Sequence, residues 1–347
     1  MVIGAGAGLS ETEKKIQRLG LYLQDMHVRE MISYSRMAEQ HGFESVWVAE
    51  SRLARDAIVP VAAIATETSR IKVGTGVINT WTRNAALIAQ EFATLDELSD
   101  GRVLLGLGAW WDPLAKKVGI VRKKPLECMR EYVQVIRQLL REEEVNFQGE
   151  FVKMDGVKLD MLHGSGAKPR PIPIFVGGTG FKMLELAGEI ADGVLLNYLV
   201  SPNYNIDALE SVKRGAQKAG RILNDIDVAQ LIACSVDEDR DRAVKLAKNH
   251  VTMTLGQQPH IMKASGVKDD LIRAVQERMG GWPAKPGGIE RAAELVPDDI
   301  VRMLTASGNP QDCRRKIAEY VATGCKSPLL LPLSSNVEYM IRSLSPD

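Results

Sequence analysis

The sequence predicts an α/β fold in which strand–helix units close into a (β/α)8 TIM barrel. Short apolar runs alternate with helical segments along nearly all of the 347 residues, and this length accommodates eight such units with insertions. A doubly wound open sheet is the competing architecture, and the number of units favours the barrel. The predicted strands cover residues 19–23, 45–49, 71–75, 103–107, 173–178, 192–197, 227–236 and 327–333.

Helices are predicted between the strands from apolar residues at helical spacing and from recognisable helix ends. Met31 and Ala38 share one stripe of the first helix, which we expect to stop at Gly42. Pro60 fits the first turn of the second helix, and Asn84 suits the cap of the third. The predicted helices cover about residues 27–41, 58–66, 84–98, 125–142, 181–190, 205–220, 238–254 and 309–323, and another helix closes the chain.

Two insertions interrupt this alternation, after the fourth and the seventh strand. Residues 145–159 predict a β-hairpin with turns at Gln148-Gly149 and Asp155-Gly156. Residues 255–310 predict a helical insertion punctuated by glycine and proline, which we expect to form a lid at the barrel mouth. No linker-like stretch occurs, so we expect residues 1–15 to be an N-terminal extension and residues 16–347 a single domain.

Composition argues against several classes of function. The net charge is zero and the pI is near 7, so neither nucleic-acid binding nor a membrane-surface role is indicated. No run approaches the roughly 18 apolar residues of a membrane helix, and the N-terminus lacks the basic start of a signal peptide. The four cysteines lie far apart and the histidines show no ligand spacing. We therefore expect a reduced, cytoplasmic protein without a structural metal or a disulfide framework.

Glycine clusters end three consecutive predicted strands, at Gly74-Thr75-Gly76, Gly106-Leu107-Gly108 and Gly177-Gly178-Thr179-Gly180. Glycine lets a ligand approach the backbone closely, and the loops after barrel strands carry the site. The last cluster precedes a helix, whose first amide groups suit a phosphate. A tight turn would need glycine as well. The pattern of a dinucleotide site, GxGxxG with a carboxylate about 20 residues later, is missing.

Aromatic and charged residues follow the same strand ends. Trp110 and Trp111 come directly after the fourth strand and either wall a ligand pocket or pack beneath the insertion. Glu50 ends the second strand, where a carboxylate could contact a ring N–H or take part in proton transfer. It could equally be a helix N-terminal charge or pair with Arg52 or Arg55. Arg83 and Asn84, which follow the third strand, could do either job too. These residues together predict a polar, aromatic barrel mouth and do not name a reaction.

Three segments resemble the bacterial luciferase-like superfamily, and within it the branch that uses the deazaflavin coenzyme F420. The order of ATLDELSDGRVLLGLG and KMLELAGEIADGVLLN is typical of that superfamily, and the methylenetetrahydromethanopterin reductases are the most similar group. The segments are LGLYLQDMHVREMISYSRMAEQHGFESVWVAES (19–51), RIKVGTGVINTWTRNAALIAQEFATLDELSDGRVLLGLG (70–108) and PIFVGGTGFKMLELAGEIADGVLLN (173–197).

The resemblance implies an oxidoreductase that moves a hydride between F420 and a small organic substrate, with FMN as the alternative cofactor. It also implies a homodimer or a higher homo-oligomer. It implies a cis peptide bond at Gly76–Val77 behind the deazaflavin ring, Asn79 near the ring edge, and Glu50 where relatives hold an aspartate that contacts the coenzyme. The matching phosphate loop is Gly177, Gly178 and Thr179, and the substrate pocket is Tyr22, Trp110 and Trp111.

Some positions depart from the pattern of the relatives. Many relatives have Asp-His where this chain has Glu50-Ser51. F420-dependent glucose-6-phosphate dehydrogenases use that histidine and a glutamate at the position of Trp111, so we do not expect their reaction here. Methylenetetrahydromethanopterin reductases carry a glutamate at the position of Tyr22, which leaves the pterin substrate open. The alternatives are an FMN-dependent monooxygenase and a non-catalytic cofactor-binding relative, and no residue stands out as a general acid.

Overall fold

The computed structural model describes residues 16, 18–50, 52–160 and 169–346. The expected N-terminal extension over residues 1–15 and Ser51 lie outside this part of the chain. The strands, in chain order, are β1 (Gly20–Leu23), β2 (Ser45–Val48), β3 (Lys72–Thr75), β4 (Ile78–Asn79), β5 (Val103–Gly108), β6 (Val145–Gln148), β7 (Lys153–Val157), β8 (Ile174–Gly178), β9 (Gly193–Leu196), β10 (Asp227–Val236), β11 (Ala306–Gly308) and β12 (Ser327–Pro332).

Eight parallel strands close into a barrel in the order β1-β2-β3-β5-β8-β9-β10-β12, and β12 pairs with β1 through Gly20 and Leu329. The predicted (β/α)8 fold is therefore confirmed. Each predicted strand end lies within one residue of the observed end, because both faces of a buried parallel strand are apolar and the run stands out in the sequence.

Helices follow the strands and cover the outside of the barrel. Gly42 takes a left-handed φ of 78° just beyond the first helix, and the Asn84 side chain accepts a hydrogen bond from the Ala86 N–H, both as predicted. The helices are α1 (Val28–Gln40), α2 (Ile58–Glu67), α3 (Ala85–Leu98), α4 (Asp112–Lys117), α5 (Pro125–Leu140), α6 (Phe181–Ile190), α7 (Pro202–Lys218), α8 (Arg240–Gln257), α9 (Pro259–Ala264), α10 (Asp269–Met279), α11 (Gly288–Ala293), α12 (Asp298–Leu304), α13 (Pro310–Ala322) and α14 (Val337–Leu344).

Both insertions are present, and one detail of the first was predicted wrongly. β6 and β7 pair as an antiparallel hairpin whose turn follows Gln148, where the Gly149 N–H donates to the Val152 carbonyl over 2.9 Å. Asp155-Gly156 lies inside β7 and not in a turn. The pairing register shifts at this point, and Gly156 has a φ of 60°, so the dipeptide forms an irregularity within the strand.

Two apolar layers hold the barrel together. One lies between the sheet and the helices, and the other fills the barrel interior, where Trp47 meets Phe175 edge-on with ring centroids 5.0 Å apart. The interior is therefore a packed core, as expected for an eight-stranded barrel. Its members are Tyr22, Trp47, Ala49, Leu104, Phe175, Leu195, Ala229, Leu231, Leu329 and Leu331.

No helix in the described ranges combines the length and apolar character needed to cross a bilayer.

Helices α6 and α7 pack unusually closely because a glycine lies at the contact on each side. A Cβ atom on Gly188 of α6 would collide with the Val212 carbonyl, and one on Gly215 of α7 would collide with the Glu185 carbonyl. α6 directly follows the glycine cluster that ends β8. The close contact therefore fixes the position of that cluster.

We predict that Gly215→Ala lowers the free energy of unfolding by about 2 kcal/mol. Alanine gains about 1 kcal/mol of helix propensity. The added methyl group, however, meets a backbone carbonyl that cannot rotate away, and such overpacking costs about 3 kcal/mol. Thermal and urea unfolding measure the effect, with the exposed Gln217→Ala on the same helix as the control. An unchanged or raised stability would mean that the two helices separate at no cost.

Candidate active site

Two adjoining cavities open at the carboxyl ends of the barrel strands. Their volumes are about 380 Å³ and about 540 Å³. We call them the insertion-side cavity and the loop-side cavity. All ten predicted site residues line one or both of them. Glu50, Asn79 and Trp111 line the first, Gly177 and Gly178 line the second, and Tyr22, Gly76, Val77, Trp110 and Thr179 line both.

Val77 forms the floor shared by the two cavities. The Gly76–Val77 peptide bond is cis, as the resemblance implied. A Cβ on Gly108 would collide with the Val77 side chain, and one on Gly177 would come within 2.9 Å of its Cγ1 atom. These glycines are therefore required by the packing of Val77. This packing role was not apparent from the sequence, and it stands beside the expected approach of a ligand to the backbone.

Tyr22 supports the same segment from the first strand. Its phenol is buried and donates a hydrogen bond to the Gly76 carbonyl. A Cβ on Gly76 would come within 2.7 Å of the Tyr22 ring, so this glycine too is required by packing. Burial raises the pKa of the Tyr22 phenol far above its ordinary value of 10.0, so the hydroxyl stays protonated and remains a donor.

Glu50 is held in a bidentate ion pair with Arg83, and not with Arg52 or Arg55. Arg83 Nη2 lies 2.7 Å from Glu50 Oε1, and Arg83 Nη1 lies 2.9 Å from Oε2. The Asn79 amide donates to the same Oε2 over 3.3 Å. The carboxylate raises the pKa of Arg83, which keeps the arginine charged. Glu50 therefore acts as a fixed acceptor that orients Asn79 at the cavity wall.

The glycine cluster after β8 leads into α6 without a side-chain cap. Gly180 is the N-cap residue, and a Cβ placed on it would meet nothing within 4 Å. Tyr204 of α7 fixes the loop, because its hydroxyl donates to the Thr179 carbonyl over 2.9 Å. Gly180, Lys182 and Met183 line the loop-side cavity, so the N-terminus of α6 lies at this cavity, which suits an anionic group.

The insertion-side cavity is walled by aromatic and amide side chains. Trp110 has a left-handed φ of 60°, and Trp111 is 43% exposed. Both tryptophans line the pocket, where residues of the second insertion lie as well. The amide wall consists of Gln24, Asn197, Gln257 and Gln258.

Sequence reasoning missed this amide wall and also Tyr198, which lines both cavities. Asn197 and Tyr198 directly follow β9, and Gln24 directly follows β1. The rule that residues after barrel strands form the site would have found these three. Burial raises the pKa of the Tyr198 phenol, so it too stays protonated.

The second insertion contributes to the mouth through its first residues. Gln257 ends α8, and Gln258 and His260 begin the next helical segment. Arg52, in the loop after β2, donates to the Gln257 side-chain oxygen over 3.0 Å. This hydrogen bond joins the loop after β2 to the end of α8, so the start of the insertion forms one wall of the site.

Another cavity, of about 230 Å³, lies at the opposite end of the barrel. Its charged residues are already paired: Arg18 contacts Glu44 over 2.8 Å and Asp227 over 2.7 Å, and Lys72 contacts Glu44 over 2.9 Å. Such pairing at the amino-terminal end of barrel strands serves stability. In the described residues, no group of three or more His, Cys, Asp or Glu could hold a metal ion.

Comparisons with known proteins agree with this geometry. The family model for luciferase-like monooxygenases matches residues 6–327. The 5,10-methylenetetrahydromethanopterin reductase of Archaeoglobus fulgidus is 34% identical over 310 residues, which cover 87% of this chain and 89% of that protein. The enzyme of the same name from Methanolobus tindarius is 32% identical over 317 residues, which cover 91% and 94%.

A solved structure matches over nearly the whole chain. It is the coenzyme F420-dependent tetrahydromethanopterin reductase from Methanopyrus kandleri, with a TM-score of 0.84 and 27% identity. The match covers 94% of this chain and 97% of that one. The chain therefore belongs to the luciferase-like monooxygenase family, in its branch of coenzyme F420-dependent oxidoreductases.

Proposed function

We propose that this protein transfers a hydride between coenzyme F420 and a small organic substrate bound at the barrel mouth. The observation that carries the proposal is the pair of adjoining cavities. One ends at a glycine loop and an uncapped helix, and the other ends at amides and tryptophans. The similarity to two 5,10-methylenetetrahydromethanopterin reductases supports a finer proposal, a reduced pterin as the substrate.

The residues of the loop-side cavity fit the coenzyme. The open space at Gly180 and the first amides of α6 suit a phosphate group, so Gly177, Gly178 and Thr179 would hold it. Gly76 and Val77, which line both cavities, and Asn79 of the insertion-side cavity would seat the ring, because Val77 offers an apolar surface and Asn79 a polar edge. When bound, F420 supplies the hydride chemistry.

The residues of the insertion-side cavity fit a flat, hydrogen-bonding substrate. A primary amide is both donor and acceptor, as are the edges of a pterin ring. Trp110 and Trp111 offer surfaces on which such a ring can stack. Tyr22 stands where the reductases carry a glutamate, and its proton is already donated to the Gly76 carbonyl. Tyr198 is therefore the phenol that we propose as hydrogen-bond donor to the substrate.

Glu50 is the carboxylate that we assign to coenzyme contact. Among the described residues it is the one Asp or Glu that lines either cavity. Its two oxygens accept three hydrogen bonds, and a carboxylate has further lone pairs, so it is suited to accept a bond from a ring N–H. It orients Asn79 and the coenzyme for hydride transfer, and orientation of this kind lowers the barrier.

We also propose a cytoplasmic homodimer. Cys128, Cys234, Cys313 and Cys325 are buried free thiols, which suits a reducing compartment. Val59 of α2 and Leu87 of α3 are exposed apolar residues on two helices that pack together, which supports an interface there. Light scattering that returns the mass of a single chain would contradict the dimer.

The cofactor proposal predicts selective binding of F420. Titration of the purified protein with oxidised F420 and separately with FMN should give F420 a dissociation constant at least tenfold lower. Reduced F420 should then be reoxidised on addition of a methylenetetrahydropterin. Tighter binding of FMN would support the monooxygenase alternative. Binding of neither would contradict the cofactor assignment, and F420 binding without turnover on any acceptor would indicate a non-catalytic relative.

The proposed role of Glu50 predicts that its substitution affects binding and catalysis, whereas substitution of Asp56, the other carboxylate that contacts Arg83, does not. Glu50→Gln removes one acceptor and presents an N–H group to Arg83, so F420 affinity and kcat/KM should each fall about tenfold or more, equivalent to about 1.4 kcal/mol. The control is Asp56→Asn. Asp56 also contacts Arg83, over 2.5 Å, but lines neither cavity. Equal effects of the two substitutions, or none from Glu50→Gln, would contradict the assignment.

A further inference from the structure

We propose that Arg122 recognises the anionic side arm of the coenzyme and is thereby a determinant of cofactor specificity. This inference rests on the proposed function, because it takes F420 as the ligand. Arg122 lies between α4 and α5, more than fifty residues before the glycine loop in the sequence. In the fold it lines the same cavity, of about 540 Å³, as Gly177, Gly178 and Thr179.

The Arg122 guanidinium is largely buried and poorly paired. Its side chain is 14% exposed, and its Nε atom has no hydrogen-bond partner among the described residues. Among the described residues its ion-pair partner is Asp112, with 3.9 Å between Nη1 and Oδ1, which is too long for a hydrogen bond. Asp112 is already engaged by Lys116 over 2.7 Å. Arg122 therefore keeps a largely buried charge that the described residues barely neutralise.

A buried cation without a close counter-ion is costly, so this arrangement favours an anion supplied by a ligand. Burial lowers the pKa of Arg122, yet a guanidinium keeps its charge at any physiological pH. Within the described part of the chain, no Asp or Glu side chain lines the loop-side cavity to compete for it. The charges that line the cavity therefore favour binding of an anionic group.

Two further features of the same cavity favour an oxyanion. Lys182, in the first turn of α6, is a second cation in the lining. The uncapped N-terminus of α6 adds free amide donors and the positive end of the helix dipole. The side arm of F420 carries a phosphodiester and carboxylates, whereas its ring-and-ribityl core carries neither. An arginine can bind such an oxyanion through two parallel hydrogen bonds.

The test compares two ligands on two proteins. Fluorescence titration gives the dissociation constants of the wild type and of Arg122→Gln for F420 and for the ring-and-ribityl core without phosphate. We expect Arg122→Gln to weaken F420 binding 10- to 100-fold and to change core binding less than twofold. Arg122→Lys should fall between, because a lysine keeps the charge but not the paired geometry. Added salt should weaken F420 binding more in the wild type than in Arg122→Gln.

Lys123→Gln is the matched control, because the neighbouring lysine is exposed and lies outside the cavity lining. It removes the same charge and should leave F420 affinity unchanged. If Arg122→Gln lost the same affinity for F420 and for the core, Arg122 would only support the loop, and the inference would be overturned. Unchanged F420 affinity in Arg122→Gln, or an equal loss of F420 affinity in Lys123→Gln, would overturn it as well.

The outcome for the wild type separates this inference from the proposed function. A wild type that binds neither ligand contradicts the proposed function and removes the basis of the inference, whereas F420 binding that Arg122→Gln does not alter contradicts the inference alone. F420 trimmed to its phospholactyl form then identifies the oxyanion. If Arg122→Gln weakens binding of this form as much as binding of full F420, Arg122 contacts the phosphodiester. If the substitution weakens only the binding of full F420, Arg122 contacts the tail carboxylates.

Discussion

The arrangement of the barrel mouth depends on one packing constraint, the space that the Val77 side chain needs between neighbouring strands. This side chain fits only because Gly108 and Gly177, at the ends of two neighbouring strands, have no Cβ atom. A Cβ on Gly106 would collide with the Thr75 carbonyl, so β5 must also leave room for the backbone of β3 that leads to Val77. An apolar floor thereby lies between the two cavities.

The polar parts of the site are arranged around this floor. Tyr22 holds the Gly76 carbonyl from one side, and Glu50 holds Asn79 from the other, with Arg83 fixing the carboxylate. The α6–α7 contact sets the distance of the glycine loop from the floor. Rigid strands and closely packed helices thus fix the relative positions of the ring, phosphate and substrate sites that we propose, and such preorganisation is what hydride transfer requires.

The sequence predicted the barrel and the strand ends closely, because buried parallel strands are apolar on both faces and loops follow them. It also predicted residues that would line the mouth, since these follow the strands directly. The ion pair of Glu50 was missed because Arg83 lies 33 residues away and the nearer Arg52 and Arg55 were considered instead. No sequence pattern indicated that Arg122 would line the site, since its position depends on how the segment after β5 packs. The packing role of Gly108 and Gly177 appears only when their strands are brought together around the Val77 side chain.

The central claim is that the Val77 floor carries the coenzyme ring and the β8–α6 loop carries its phosphate. A crystal structure of the protein with F420 tests this most directly. We expect the ring against the Val77 side chain and phosphate oxygens within hydrogen-bond distance of amides in residues 177–182. A phosphate bound at the Gln257–His260 side, or a ring away from Val77, would contradict the account.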